Sequence, residues 1–126
     1  MRIIGIGDNV ADCYLHQQKF YPGGNAVNVA VNCHRFGMEE AAYLGIFGDD
    51  DKAEHIRSVL RKEGIDISRC RKFYGISGQP TITISPEGDR LFSKKRFYTC
   101  QNVVALRFIK PDLEYISTFD LCHTSC

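Results

Sequence analysis

At 126 residues, with 44% hydrophobic and 25% charged side chains, the chain has the length and composition of one ordinary soluble domain with a real core. A formal net charge of +1 without a basic block argues against nucleic acid as the main partner. No apolar run approaches the ~20 residues of a membrane span. The opening MRIIGIGDNVADCYL has no signal-peptide pattern, so a cytoplasmic location is expected, with no membrane partner.

Arg2–Gly7 (RIIGIG) is a short apolar run ending in glycine, as expected of a central strand. Gly5 and Gly7 begin a dinucleotide-like pattern, but Val10 stands where its third glycine belongs, and no phosphate-loop motif occurs. Asp8 and Asp12 follow the strand, where ligands collect in open α/β sheets. A carboxylate there can take two hydroxyls in charge-assisted bonds. Asp8 is read as satisfying turn backbone.

Tyr21–Phe36 (YPGGNAVNVAVNCHRF) carries the strongest chemical signal. Pro22 and Gly23-Gly24 are followed by a helical pattern. Asn25, Asn28, Asn32 and Arg35 form one polar stripe, and Ala26, Val27, Val29, Ala30, Val31, Cys33 and Phe36 fill the apolar remainder. Gly37 is a natural stop. A helix so apolar should be buried. Two readings stay open. Gly23-Gly24 is a tight turn with Asn25 capping a core helix, or the free N–H groups of the helix start face a polar ligand whose hydroxyl Asn28 reads.

Ala41–Phe47 reads as a second buried strand. Gly48-Asp49-Asp50-Asp51 opens a helix, Lys52–Lys62, with Ala53, Ile56, Val59 and Leu60 on one face and Gly64 beyond its end. The three aspartates are read as N-caps rather than a magnesium site. Ile65–Tyr74 is another strand-like run. Thr81–Ser85 alternates strictly, and Pro86-Glu87-Gly88-Asp89 turns it into Arg90–Phe97, a β-hairpin. The basic run Lys94-Lys95-Arg96 reads as a solvated strand edge. Pro111–Thr118 should be a short helix with Pro111 at its first position, and Asp120–Thr124 a strand.

The six cysteines, Cys13, Cys33, Cys70, Cys100, Cys122 and Cys126, form no C-x-x-C pair, and reduced thiols are expected. Cys122-His123-Thr124-Ser125-Cys126 is read as a strand end rather than a zinc site.

The run Gly23-Gly24-Asn25-Ala26-Val27-Asn28-Val29-Ala30, followed by Gly37, resembles the N-terminal signature of the ribokinase-like (PfkB-type) carbohydrate kinases, and PGGNAVNVAV is most similar to the fructoselysine 6-kinases among them. Ten residues separate Gly37 from Gly48, one more than the family's usual spacing, which places an insertion or an altered loop around Glu39-Glu40. The resemblance implies an α/β fold: the N-terminal part of a ribokinase-like domain, with a central, mostly parallel sheet, flanking helices and a small β-sheet lid at about 13–21 and 75–98. It also implies that Asp12, Gly23, Gly24, Asn25 and Asn28 bind a sugar or fructosamine, and that the lid serves as a homodimer surface.

The resemblance spans the whole chain, yet only the first half or less of such a kinase. The family's later Gly-Ala-Gly-Asp segment, with its catalytic aspartate and anion hole, does not occur in these residues. ATP and Mg²⁺ belong to the full-length family, and neither is expected to bind this chain well. The expectation is a truncated ATP-dependent carbohydrate kinase, a fructoselysine or fructosamine 6-kinase, inactive alone. The alternative is a non-catalytic sugar-binding or dimerisation module.

Overall fold

The computed structural model describes residues 1–93 and 98–125. The basic run Lys94-Lys95-Arg96, the end of the expected Arg90–Phe97 strand and Cys126 lie outside the described residues.

The apolar run Arg2–Gly7 is β1, and it pairs in parallel with β4 (Glu40–Phe47) on one side and β8 (Leu121–Thr124) on the other. With β5 (Arg71–Lys72) the sheet has the order β5-β4-β1-β8, all parallel. Both faces of such a sheet must be covered, so its inner strands read as continuous apolar runs rather than alternating ones. Ile3, Ala41, Tyr43 and Phe47 pack against α1 (Asn25–Arg35) and α2 (Asp51–Lys62), which contribute Ala26, Val27, Ala53, Ile56 and Leu60. Ile4, Ile6, Ala42 and Leu44 face the other way, under Tyr115 and Ile116 of α4 (Lys110–Ile116) and under Leu106 and Phe119. A fully buried isoleucine contributes roughly 1.5–3 kcal/mol, so β1 alone anchors both layers. At Gly5 a Cβ would stand 2.3 Å from the Ala26 carbonyl oxygen, which shows how closely α1 crosses β1.

A second, mixed sheet has the order β3-β2-β6-β7. Here β2 (Val10–Tyr14) pairs antiparallel with β3 (Lys19–Gly23) and parallel with β6 (Thr81–Ile84), and β6 pairs antiparallel with β7 (Arg90–Phe92). The hairpin expected of Thr81–Ser85 and the strand from Arg90 is present between β6 and β7, its turn closed by the Gly88 N–H on the Ser85 carbonyl at 2.9 Å. A short helix, α3 (Cys100–Val103), follows.

Several expectations need correction. Ile65–Tyr74 is not one strand: a single bridge joins Asp66 to Ala42, and regular pairing is confined to β5. The interruption coincides with Asp66 turning back on the Ser68 N–H at 2.8 Å. Phe36 is not part of the buried helix face; it lies one residue beyond the last helical turn and is 90% exposed. The last helix begins at Lys110 rather than Pro111 and ends at Ile116, because the Asp112 carboxylate accepts the Ile109 N–H at 2.9 Å and sets the cap one residue earlier. The second helix takes in Asp51 as well, since Asp50 is its cap.

Candidate sugar-binding site

The main chain leaves the parallel sheet at Gly7, runs through Asp8 and Asn9 into β2, and returns along β3 to Gly24, where α1 begins. Every residue expected to bind the sugar, Asp12, Gly23, Gly24, Asn25 and Asn28, lies on this path or in the first turn of α1.

Gly24, not Asn25, is the helix N-cap, with φ +100° and ψ +139° and no side-chain cap. That conformation strains any residue with a Cβ, and a Cβ there would fall 2.7 Å from the Asp8 carbonyl oxygen and 2.8 Å from Asn9 Cα. The capping is done from outside the helix. Asp8 accepts the N–H of Asn25 at 2.9 Å and of Ala26 at 3.1 Å, and its Oδ1 also takes the hydroxyl of Ser125, just past β8. Burial pushes the Asp8 carboxyl up, but the bonds from Ser125, Ala26 and Asn25 outweigh it and leave it below the ordinary value. The open N–H groups expected at this helix start are therefore partly taken: two of them already hold a carboxylate.

Asp12 differs from Asp8. It lies on β2 opposite Tyr21, half-buried, and its carboxylate makes no hydrogen bond among the described residues. A Cβ on Gly23 would stand 2.4 Å from Asp12 Oδ2, so the missing side chain at Gly23 is the space the carboxylate occupies. Burial raises the Asp12 pKa, and the nearby positive charge of Arg90 only partly offsets this. Asn25 and Asn28 are exposed on the first turn of α1, and neither side-chain amide has a protein partner among the described residues. The Asn28 N–H closes the first helical bond onto the Gly24 carbonyl at 2.9 Å. The structure thus brings Asp12 against Gly23 and ties Asn28 to Gly24.

The rigid support behind this path was not apparent from the sequence. Asn9 is fully buried, and its amide donates to the Tyr43 hydroxyl at 2.8 Å and the Ile46 carbonyl at 2.9 Å. The Tyr43 hydroxyl donates onward to the Gly7 carbonyl at 2.7 Å, and Gln101 Nε2 donates to the Asn9 carbonyl at 2.6 Å. These bonds fix the corner between β1 and β2, just ahead of the strand that carries Asp12. Asp50 plays a comparable part for the second sheet. It caps α2 through the Ala53 N–H at 3.0 Å, as expected. It also holds the Ser77 hydroxyl at 2.7 Å, the Ser77 N–H at 3.0 Å and Gln79 Nε2 at 3.2 Å, at the entry to β6. Asp49 accepts the Gly75 N–H at 3.1 Å beside it. Among the described residues no group of three or more His, Cys, Asp or Glu side chains is placed to hold a metal ion. No helix among them is long and apolar enough to cross a membrane.

Comparison with known proteins finds relatives in sequence and in fold over most of the chain. A family model described as pfkB family carbohydrate kinase matches residues 2–124. The chain is 42% identical over 125 residues to fructosamine kinase FrlD of Bacillus subtilis, an alignment covering 99% of this chain and 44% of that protein. It is 32% identical over 120 residues to fructoselysine 6-kinase of Escherichia coli, covering 95% and 44%. Among solved structures, a protein of Agrobacterium tumefaciens assigned as a ribokinase superposes with a TM-score of 0.81 at 25% identity, over 98% of this chain and 44% of that one. Aminoimidazole riboside kinase from Salmonella enterica, solved with aminoimidazole riboside and an ATP analogue, matches with a TM-score of 0.57 at 29% identity, over 64% and 28%. The chain spans less than half the length of the curated relatives it matches.

Proposed function

We propose, from the premise that this chain belongs to the pfkB family of carbohydrate kinases, that it is the sugar-binding N-terminal part of an ATP-dependent kinase acting on a primary hydroxyl of a fructosamine such as fructoselysine. The observation that carries the proposal is the Asp12 carboxylate. A half-buried carboxylate without a protein hydrogen bond is costly unless a ligand supplies the donors, and sugar hydroxyls are suitable ones. Gly23 leaves it room, and Asn25 and Asn28 offer unpaired amides one helical turn away. The similarity to fructosamine kinase FrlD and fructoselysine 6-kinase supports the substrate class.

In this reading the sheet β3-β2-β6-β7 is the lid over the sugar. Ile82 is buried, but Ile84 and Phe92 are 43% and 56% exposed, and the pairing of Phe92 with Ile82 places all three on one face. The exposed part of that face, Ile84 and Phe92, is the surface on which a homodimer would form. In this reading the nucleotide site lies in the later part of the full-length family fold, which carries the Gly-Ala-Gly-Asp segment, while Asp49 and Asp50 at the start of α2 hold Ala53, Ser77, Gln79 and Gly75. ATP and Mg²⁺ are accordingly assigned to the remainder of the full-length family fold, and the isolated chain is expected to transfer no phosphoryl group.

The test is calorimetric titration of the chain with fructoselysine, run beside an ATP-dependent phosphorylation assay. Saturable sugar binding without turnover is expected. Turnover that follows the protein through purification and disappears in Asp12→Ala would refute the inactive-alone reading. Absence of sugar binding by a folded chain would refute the binding assignment and favour a dimerisation module.

A further inference from the structure

Away from the Asp12 path, the segment between α2 and β5 encloses a cleft of about 470 Å³, lined by Arg57, Arg61, Arg71 and Lys72 with Phe47 and Asp66. Four cations against one carboxylate is a strong local excess in a chain whose formal net charge is +1. Asp66 offsets one of these charges at most and pairs with none of them directly, its oxygens being taken by the Ser68 N–H at 2.8 Å and the Tyr115 hydroxyl. Arg71 is held by Asp112 and by the Arg69 carbonyl, and serves as a fixed wall. Arg61 reaches Glu54 at 3.8 Å only. Arg57 and Lys72 make no ion pair among the described residues. The Arg57 guanidinium stands over the Phe47 ring, 5.7 Å from its centroid, and its Nε–H is buried without an acceptor. Native structures rarely leave a buried donor unpaired, and an arginine oriented by an aromatic face presents a fork suited to phosphate oxygens.

We propose that this cleft is a binding site for a phosphate group, in which Arg57 and Lys72 supply the free charge and Arg71 the fixed one. A volume of this size admits a small phosphorylated metabolite as well as the free ion. The site is independent of the sugar path, since it shares no residue with Asp12, Gly23, Gly24, Asn25 or Asn28.

Titration of the ¹⁵N-labelled chain with inorganic phosphate, followed through arginine Nε–H resonances, tests the proposal, with fructose 6-phosphate as the ester arm. Saturable movement of the Arg57 signal at millimolar phosphate is expected. Arg57→Gln and Lys72→Gln should each weaken binding about tenfold, the effect of one lost charge-assisted bond. Lys72 is exposed, so its variant keeps the test valid if Arg57→Gln fails to fold. Tighter binding of the ester identifies a phosphorylated metabolite as the ligand, and equal binding identifies free phosphate. Asp12→Ala should leave phosphate binding unchanged, which separates this site from the sugar site. No saturable movement, or equal affinity in folded Lys72→Gln, would overturn the proposal.

Discussion

The Asp12 carboxylate occupies the volume that a side chain on Gly23 would need, with Oδ2 only 2.4 Å from the position of that missing Cβ. One residue therefore dictates the other across the β2–β3 pair, and the two should fail together. Asp12→Ala is expected to weaken fructosamine binding by roughly ten- to a hundredfold, the loss of one charged partner worth ~1.5–3 kcal/mol in a partly dry site. Gly23→Ala should weaken it comparably by rotating the carboxylate away, since the conflict is with a side-chain end rather than with backbone. Asn28→Ala should cost less, because its bonds are neutral. Calorimetry, with circular dichroism to confirm the fold, reads all three. Wild-type affinity in folded Gly23→Ala would show that Asp12 is not held for the ligand.

Asp12 also sets a conflict between stability and binding. Burial raises its pKa above the ordinary value despite Arg90, so the folded chain holds this proton more tightly than the unfolded chain does. The sign follows directly. The stabilisation from that proton is complete below the unfolded-state pKa and is lost as pH rises through the higher folded value, leaving a charged cost at neutral pH. Asp12→Asn should therefore raise the thermal midpoint at pH 7 by up to a few degrees, while sugar affinity falls. In the parent chain, sugar affinity should decline as pH drops through the raised value. A neutral variant no more stable than the parent would mean that solvent or Arg90 already compensates the charge.

Much of this architecture was legible because it depends on local pattern. The apolar runs of β1 and β4, the polar stripe of α1 and the Asp50 cap are all written within a few neighbouring residues. The β2–β3 hairpin was not legible from its residues. Val10–Tyr14 and Lys19–Gly23 are only five residues each, with an apolar face of just Ala11, Cys13, Phe20 and Pro22, and their link uses the short 3₁₀ turn Leu15–Gln17, with Gln18 at φ +51°, in place of a recognisable turn sequence. Asp8 was read correctly as a residue that satisfies backbone, but that backbone belongs to α1, 17 residues further on. Asn9, Asp112 and the Arg57 cleft depend on partners that only the folded chain brings together.

The thiols should react in an order set by exposure and burial. Cys13, Cys33, Cys70, Cys100 and Cys122 are free. Cys122 is exposed, whereas burial pushes the Cys70 thiol up to about 12 and its Sγ donates to the Tyr43 carbonyl. The thiolate is the reactive species, so an alkylating reagent at pH 8 should label Cys122 early and leave Cys70 and Cys100 unlabelled until the chain unfolds. Mass spectrometry of timed samples checks the order, and six thiols should titrate in denaturant without reductant. Early labelling of Cys70 would contradict the packing of β4 against β5.

Asp112 should govern the acid stability of the fold. It is fully buried at the start of α4 and is held by Arg71, by the Ile109 N–H at 2.9 Å and by Arg69 at 2.6 Å, joining the last helix to the segment leading into β5. The Arg71 bond, then the Ile109 N–H and Arg69, keep its carboxyl well below the usual Asp range. A depressed folded value means that this stabilisation is complete above the ordinary value of 3.8 and is lost as pH falls from there through the folded one. Asp8, Asp50 and Asp66 are lowered as well, so the parent should be stable near neutral pH and lose stability steeply below about pH 4. Asp112→Asn keeps the shape but leaves two arginines without their counter-charge. It should lower the midpoint at pH 7 by on the order of ten degrees, because breaking one side of a buried ion pair strands the other. It should also flatten the decline below pH 4 without abolishing it, since Asp8, Asp50, Asp66 and Glu63 remain lowered. Thermal melts of both proteins from pH 7 down to pH 2 provide the comparison. If the two curves fall in parallel, the carboxylate of Asp112 does not carry the acid sensitivity, and the other lowered carboxylates, Asp8, Asp50, Asp66 and Glu63, must account for it.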